Sequence, residues 1–341
     1  MPSRTEGAGT RVARPRKSDS GVSAAGRERV AEIQRARLVS AMVKISSERG
    51  YVGATVAQVV THAGVSRRTF YELFEDREDC FLAGLDEGIA QASRHLLAAY
   101  DPTAKWAERL RTALTALLSF LDTESDTGKL LVVGSLGAGH HALERRRRGI
   151  AQMIALVDEG RTESKKGSEF PPLTAEGIVG GALSIVHARL VEDKPTSLVA
   201  LVNPLMSMIV LPYLGVAAAR HEIQRSVPKP RVLIERASED PLRDLDMRLT
   251  YRTVRMLMSV GAHSGASNRE IGEAAGIADQ GQISKLLGRL ERLGLVHNTG
   301  LAPGKGAPNA WVLTAKGAQV ERTMSSDTDR QSVLAGARST Q

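Results

Sequence analysis

The stretch Thr55–Phe74, TVAQVVTHAGVSRRTFYELF, decides the fold of the N-terminal part of this chain. Thr55 and Gln58 have the spacing of a capping box, in which two side chains satisfy free N–H groups at the start of a helix. Gly64 suits a tight turn, and Ser66 is a good N-cap for a second helix. The stretch therefore predicts a helix-turn-helix unit.

The second helix of this unit can present hydrogen-bond donors to DNA. Phe70 and Phe74 lie on one face and are expected in the core. Arginine can donate a bidentate fork to guanine O6 and N7, and hydroxyls at helix N-termini suit phosphate. The residues predicted to contact DNA are Thr55, Ser66, Arg67, Arg68, Thr69, Tyr71 and Arg77.

A second such unit is predicted at Ser267–Leu293, SNREIGEAAGIADQGQISKLLGRLERL. Ser267 and Glu270 form another capping box, Gly276 supplies the turn, and Asp279 caps the following helix. Two strands and a basic loop are predicted after it, followed by a short helix, which completes the order typical of a winged helix. Its predicted DNA contacts are Gln280, Gln282, Ser284, Lys285, Arg289 and Lys305.

The rest of the chain is predicted to be helical, so the fold class is mainly all-α with one small β-hairpin in the winged helix. Two strongly apolar segments, 174–191 and 197–214, need burial on nearly every side, which a partner subunit can provide. The predicted divisions are a disordered basic arm (1–26), a helix-turn-helix domain (27–76), a helical domain (77–226), a linker (227–240), a winged helix (241–324) and a disordered tail (325–341). The family resemblance given below implies that the domain at 77–226 senses a ligand and forms the dimer.

Residues 27–80 resemble the DNA-binding domain of TetR-type regulators, on the strength of TVAQVVTHAGVSRRTFYELFEDRED. Arg77 stands where that family usually has lysine, and it keeps the charge. The segments 142–156 and 211–219 are similar to parts of the family's regulatory domain. The resemblance implies a homodimer that binds a palindromic double-stranded operator, most often as a repressor, and a small-molecule effector of unknown identity.

Residues 247–323 resemble a MarR-type winged helix, which implies a second DNA-binding module. Winged helices also bind proteins, and Asp279 and Glu291 lie near the reading face, so a protein partner remains the alternative. These residues hold ten basic against five acidic side chains, a balance of +5, which favours DNA.

Composition supports a soluble regulator. The formal net charge is +8 and 42% of residues are hydrophobic, which fits a folded protein with an anionic partner. The single cysteine, Cys80, excludes an internal disulfide, and the polar N-terminus is unlike a secretory signal, so a cytoplasmic location without membrane insertion is expected. No catalytic constellation, cofactor motif or metal set is evident, because His140, His141 and His187 have no neighbouring ligands to complete a site.

Overall fold

The computed structural model describes residues 24–164, 171–192, 196–228, 251–300 and 309–322. The N-terminal head consists of three helices, α1 (Ala24–Gly53), α2 (Val56–Ala63) and α3 (Arg67–Leu73). Helix α1 begins three residues before the end of the predicted arm, and residues 1–23 lie outside the described residues. Its regular part ends at Gly50, whose φ of 71° lies in the left-handed region that favours glycine.

The helical body follows the head directly. It contains α4 (Arg77–Ala99), α5 (Trp106–Thr123), α6 (Ser125–Val132), α7 (His140–Asp158), α8 (Gly160–Glu163), α9 (Thr174–Leu190) and α10 (Val202–Gln224). Its core contains Trp106 and Phe120, both almost completely buried, as their apolar character predicts. The Trp106 indole also donates a hydrogen bond to the Leu156 carbonyl at 2.8 Å. Helices α9 and α10 contribute to the same core, for example through Val179 and Met206.

Helix α10 is a long, strongly apolar helix of the body. It bends at Gly215, whose φ is 83°. Among the described residues, only the segment Leu198–Gln224 is long and apolar enough to cross a bilayer, and 44% of its most apolar window is already buried against the protein. Core helices of soluble proteins have the same length and composition, so this segment is weak evidence for a membrane span.

The C-terminal unit comprises α11 (Tyr251–Ala262), α12 (Asn268–Ala274), α13 (Gln280–Arg292), β1 (Val296–Asn298) and β2 (Trp311–Leu313). The strands are antiparallel, with Val296 opposite Leu313 and Asn298 opposite Trp311. Ala266 adds a single bridge to Trp311, and a last helix is described over residues 315–322. The predicted start of this unit, residues 241–250, and the tip of its loop, including Lys305, lie outside the described residues.

Candidate nucleic-acid interface

Helices α2 and α3 meet at a turn whose local bonds agree with the sequence pattern. Thr55 accepts a hydrogen bond from the Gln58 N–H, and the Gln58 side chain accepts one from the Thr55 N–H at 3.0 Å. Gly64 has a φ of 62° and closes α2. The Ser66 hydroxyl accepts a hydrogen bond from the Thr69 N–H at 3.0 Å and caps α3. The angle between the two helices is thus set by short-range bonds that three turn residues dictate.

The outer face of α3 carries the exposed part of the predicted site. Arg67, Arg68 and Tyr71 are exposed there, whereas Phe70 on the opposite face is completely buried. The Arg67 guanidinium lies 5.8 Å from the centre of the Tyr71 ring. This face offers one aromatic ring and two cations to a ligand outside the protein, which suits a polyanion with stacked bases.

Arg68 forms a salt bridge with Glu72 of the same helix. Its Nε donates to Glu72 Oε1 at 2.8 Å, four residues along the helix, and this hydrogen bond raises the pKa of Arg68 above its ordinary value. The sequence pattern did not draw attention to Glu72. Its carboxylate lies on the face predicted to contact DNA, so contact of the Arg68 guanidinium with a base would require Arg68 to leave Glu72.

Two further residues predicted to contact DNA, Thr69 and Arg77, have their side chains bound to other groups of the protein. The Thr69 hydroxyl lies 2.7 Å from the Ser66 hydroxyl. The Arg77 guanidinium stacks over the Tyr51 ring at 4.2 Å and donates to the Val52 carbonyl at 3.4 Å. Arg77 thus holds the end of α1 against the start of α4, and contact with phosphate requires it to leave these partners.

Glu72→Gln is expected to strengthen DNA binding up to about fivefold, the range measured for exposed ion pairs, because it frees Arg68 and removes a negative charge from the reading face. Arg68→Ala is expected to weaken binding by about five- to a hundredfold when one particular base pair is present. Titration of each variant with a panel of single-base operator variants measures both effects. A uniform loss across the panel for Arg68→Ala would mean that Arg68 contacts only the phosphate backbone.

The outer face of α13 forms a second polar surface. Gln280, Gln282, Ser284, Lys285 and Arg289 are all exposed, while Ile283, Leu287 and Leu290 fill the core beneath them. Two of the exposed groups have partners already. Arg252 donates to the Gln282 side chain at 3.2 Å, and the Asn268 amide donates to the Ser284 hydroxyl at 3.2 Å.

A cavity of about 310 Å³ opens inside the helical body, between α4, α5, α6, α7, α9 and α10. Its lining is almost entirely aliphatic, and Leu114, Leu118 and Met153 are typical members. Arg145 and Arg146 also line it, although the run Arg145–Arg148 has the pattern of a solvated helix face. That interpretation holds for Arg147 and Arg148, which are exposed, but not for the first two arginines.

The two cavity arginines differ in their partners. Arg145 donates to Asp86 at 2.6 Å and is thereby neutralised. Arg146 donates to the backbone carbonyl of Val132 at 3.1 Å, and burial lowers its pKa below the ordinary range. A carbonyl does not neutralise a guanidinium, so the apolar cavity carries a positive charge on its wall.

Helix α6 links this cavity to the head. Its residues Leu131 and Val132 line the cavity, and Asp126 in its first turn contacts α1. Asp126 accepts a hydrogen bond from the Ser47 hydroxyl at 2.7 Å and lies 3.3 Å from the Lys44 ammonium. Helix α6 therefore contacts both the cavity and the helix that supports the helix-turn-helix.

Cys80 and His141 have structural surroundings within the protein. Cys80 is completely buried, and desolvation raises the pKa of its thiol to about 12, which keeps it protonated. His141 lies 3.0 Å from Glu78, on the surface. Within the described residues, no group of three or more metal-ligating side chains comes together.

Residues 38–83 match the model of the tetR family of bacterial regulatory proteins, so the head is a TetR-type DNA-binding domain. The matched residues include the second half of α1, α2, α3 and the start of α4, and they do not include the rest of the helical body or the C-terminal unit.

Several solved structures are similar to about half of this chain. The fatty acid degradation regulator FadR from Bacillus halodurans is 19% identical, with a TM-score of 0.47 over 52% of this chain and 94% of its own. FadR from Bacillus subtilis, solved in complex with stearoyl-CoA, is 19% identical with a TM-score of 0.44 over 51% and 97% of the two chains. A TetR-like regulator from Rhodococcus sp. RHA1 is 21% identical with a TM-score of 0.43 over 52% and 94%.

Proposed function

We propose that this chain, whose residues 38–83 are a TetR-type DNA-binding domain, is a homodimeric, ligand-responsive transcriptional repressor that binds a palindromic operator. The observation that carries the proposal is the exposed outer face of α3, where Arg67, Arg68 and Tyr71 project from a helix whose geometry is fixed by caps at both sides of the turn. Thr55, Ser66, Thr69 and Arg77 complete this DNA-contacting set, the last after release from its contacts with the end of α1.

An unpartnered face of the helical body supports the homodimer. Along α9, Gly177, Gly180 and Gly181 have open space where a Cβ would stand. Ile185 on the same helix and Leu211 on α10 are exposed apolar side chains. A second copy packed by a two-fold axis would cover this face and place two α3 helices on one side of a duplex.

Leu211→Asp is accordingly expected to convert the dimer to a monomer and to abolish high-affinity operator binding, because a charge in an apolar interface has no partner. Sedimentation equilibrium measures the mass, and Arg220→Asp, an exposed position further along α10, serves as the control. A Leu211→Asp protein that remains a dimer would place the two-fold contact elsewhere.

The cavity in the helical body supports a small apolar effector with one anionic group. Its aliphatic wall favours a hydrocarbon portion, and the Arg146 guanidinium favours a carboxylate or phosphate over the Val132 carbonyl that it now contacts. Because Val132 belongs to α6, release of this bond would loosen the helix that holds Lys44 and Ser47 through Asp126. Effector binding is thereby coupled to the position of the head.

Fatty acids of increasing chain length are the probe for this site, since they combine a hydrocarbon with one carboxylate. Arg146→Met should lower their affinity by at least tenfold, the loss expected for a charge-assisted hydrogen bond of about 1.5–3 kcal/mol. Arg148→Met, an exposed residue of the same helix, should leave it unchanged. Calorimetry measures both. Equal affinities for the two variants would mean that the anionic group does not meet Arg146.

The C-terminal unit is proposed as a second, winged-helix DNA-binding module. Its element order and the bridge from Ala266 to Trp311 support this assignment, and so does the exposed polar face of α13. Gln280, Gln282, Ser284, Lys285, Arg289 and Lys305 are its proposed contacts.

Selection from a library of random duplexes by the full chain tests the function as a whole. We expect enrichment of an inverted repeat and protection of both half-sites. Enrichment of direct or single sites would contradict the palindromic operator, and failure to enrich any sequence would contradict sequence-specific binding.

A further inference from the structure

The first turns of α1 pack on the C-terminal unit. Val30 and Ile33 are only 4% and 8% exposed, and both belong to the core cluster of that unit, together with Val254 and Leu257 of α11. Helices α1 and α11 are in direct contact. A segment near the N-terminus thus completes a hydrophobic core that otherwise consists of residues beyond 250.

The same helix is part of the head. The head's own core takes its α1 members from Leu38 onward, including Met42 and Ile45. Ile33 and Leu38 are five residues apart, or about 7.5 Å along a helix. Within α1, only Gly50 has backbone angles outside the helical range, and it lies near the end of the helix. One uninterrupted helix therefore belongs to both units.

The contact between α1 and α11 leaves the outer faces of α3 and α13 exposed. Arg67, Arg68 and Tyr71 on α3 are exposed, and so are Gln280, Lys285 and Arg289 on α13. An autoinhibitory contact would cover one of these faces. The docked arrangement covers neither, so it is compatible with simultaneous contact of both helices with an anionic surface.

We propose that α1 holds the C-terminal unit in a fixed position beside the head, so that each chain presents two DNA-contacting helices to one continuous duplex. This inference rests on the proposed function. The site recognised by each subunit is then longer than one half-site, and the separation of its two parts is set by a rigid helix. Two units without this contact would instead tolerate many separations.

The contact itself is tested on the full chain without DNA, by amide hydrogen exchange over residues 28–36. Ile33→Asp should remove protection from the first turns of α1, because an aspartate cannot enter the apolar cluster. Ala36→Asp adds the same charge at an exposed position of the same helix and should leave protection as in the wild type. Equal protection in the two variants would overturn the docking.

The consequence for DNA is tested on duplexes selected by the wild-type chain. Each duplex contains the half-site bound by α3 and, next to it, the flank, which is the DNA bound by α13. Inserting about 5 or about 10 base pairs between them rotates the flank relative to the half-site by half a helical turn or a full turn. We expect the wild type and Ala36→Asp to lose flank protection and at least tenfold in affinity with either insertion, and Ile33→Asp to respond to neither.

The results that would contradict the composite site differ from those that would contradict the proposed function. Flank protection by the wild type at every spacing, or the absence of flank protection on the original duplex, would overturn the composite site while leaving operator binding by the head intact. Failure of every protein to select DNA would overturn the proposed function and the composite site together, and hydrogen exchange would still decide whether α1 is docked.

Discussion

Arg111→Met is expected to destabilise the helical body by about 3 kcal/mol, the lower end of the range for breaking a buried ion pair. Arg111 is almost completely buried and donates to Glu222 Oε2 and to Asn203 Oδ1, each at 2.6 Å. Methionine would leave a buried carboxylate and a buried amide oxygen without their donor. Arg225 also donates to Glu222, at 3.1 Å, and this remaining bond places the loss at the lower end.

Fluorescence of Trp106 during urea unfolding measures this loss, since Trp106 is buried in the same core. A Trp311→Phe background removes the other tryptophan of the chain. Arg189→Met, which breaks the exposed pair with Glu192, should cost less than about 1 kcal/mol. The double variant Arg111→Met/Glu222→Gln should recover part of the loss because no charge remains buried. A loss for Arg111→Met no larger than for the exposed control would contradict the structural role of this cluster.

Gly317→Ala is expected to unfold the C-terminal unit. A Cβ at this position would lie 1.8 Å from the Leu295 carbonyl oxygen. This oxygen belongs to the backbone, so it cannot avoid the clash by a change of side-chain rotamer. That carbonyl is also bonded to the Thr314 N–H at 3.0 Å. Overpacking ordinarily costs about 1–3 kcal/mol, and a collision with fixed backbone lies at or beyond the top of this range.

Trp311 fluorescence, measured in a Trp106→Phe background, reports on this unit. Gly288→Ala is the matched control, since nothing lies within 4 Å of its Cβ position and alanine favours a helix interior. A stable Gly317→Ala protein with native Trp311 emission would contradict the packing of the last helix against β1.

The Gly317→Ala variant also separates the two roles open to the C-terminal unit. The head's core does not contain this unit, so the half-site should still be recognised. Loss of flank protection would agree with a second DNA-binding module. An unchanged footprint and affinity would favour the alternative, in which the unit binds a protein partner.

The head could be predicted from sequence because its determinants are local. Capping boxes, a glycine with positive φ and an alternation of apolar and basic side chains act over three or four residues, and they are visible as spacing. The same holds for the capping box at Ser267 and Glu270 and for the strand positions around Trp311. These features specify two helix-turn-helix arrangements whatever surrounds them.

The contacts and burial of individual site residues depend on groups that are distant in the sequence. Arg77 packs on Tyr51, 26 residues earlier. Arg146 belongs to a run with the composition of a solvated face, yet it reaches Val132 and a cavity formed by six helices. Periodicity identifies the apolar side of a helix, but it does not show which polar residue a neighbouring helix will cover.

The sequence by itself therefore determined the helices and caps of the head, the capped helices α12 and α13, and the largely helical body between them. Capping hydrogen bonds and apolar periodicity depend on residues that are close together in the chain. Only the tertiary structure decided that Arg77 packs on Tyr51, that an arginine lies on the wall of an apolar cavity, and that Val30 and Ile33 belong to the core of a unit more than 200 residues away. These properties arise from contacts between distant segments, whose free energy depends on which surfaces meet once the chain has folded.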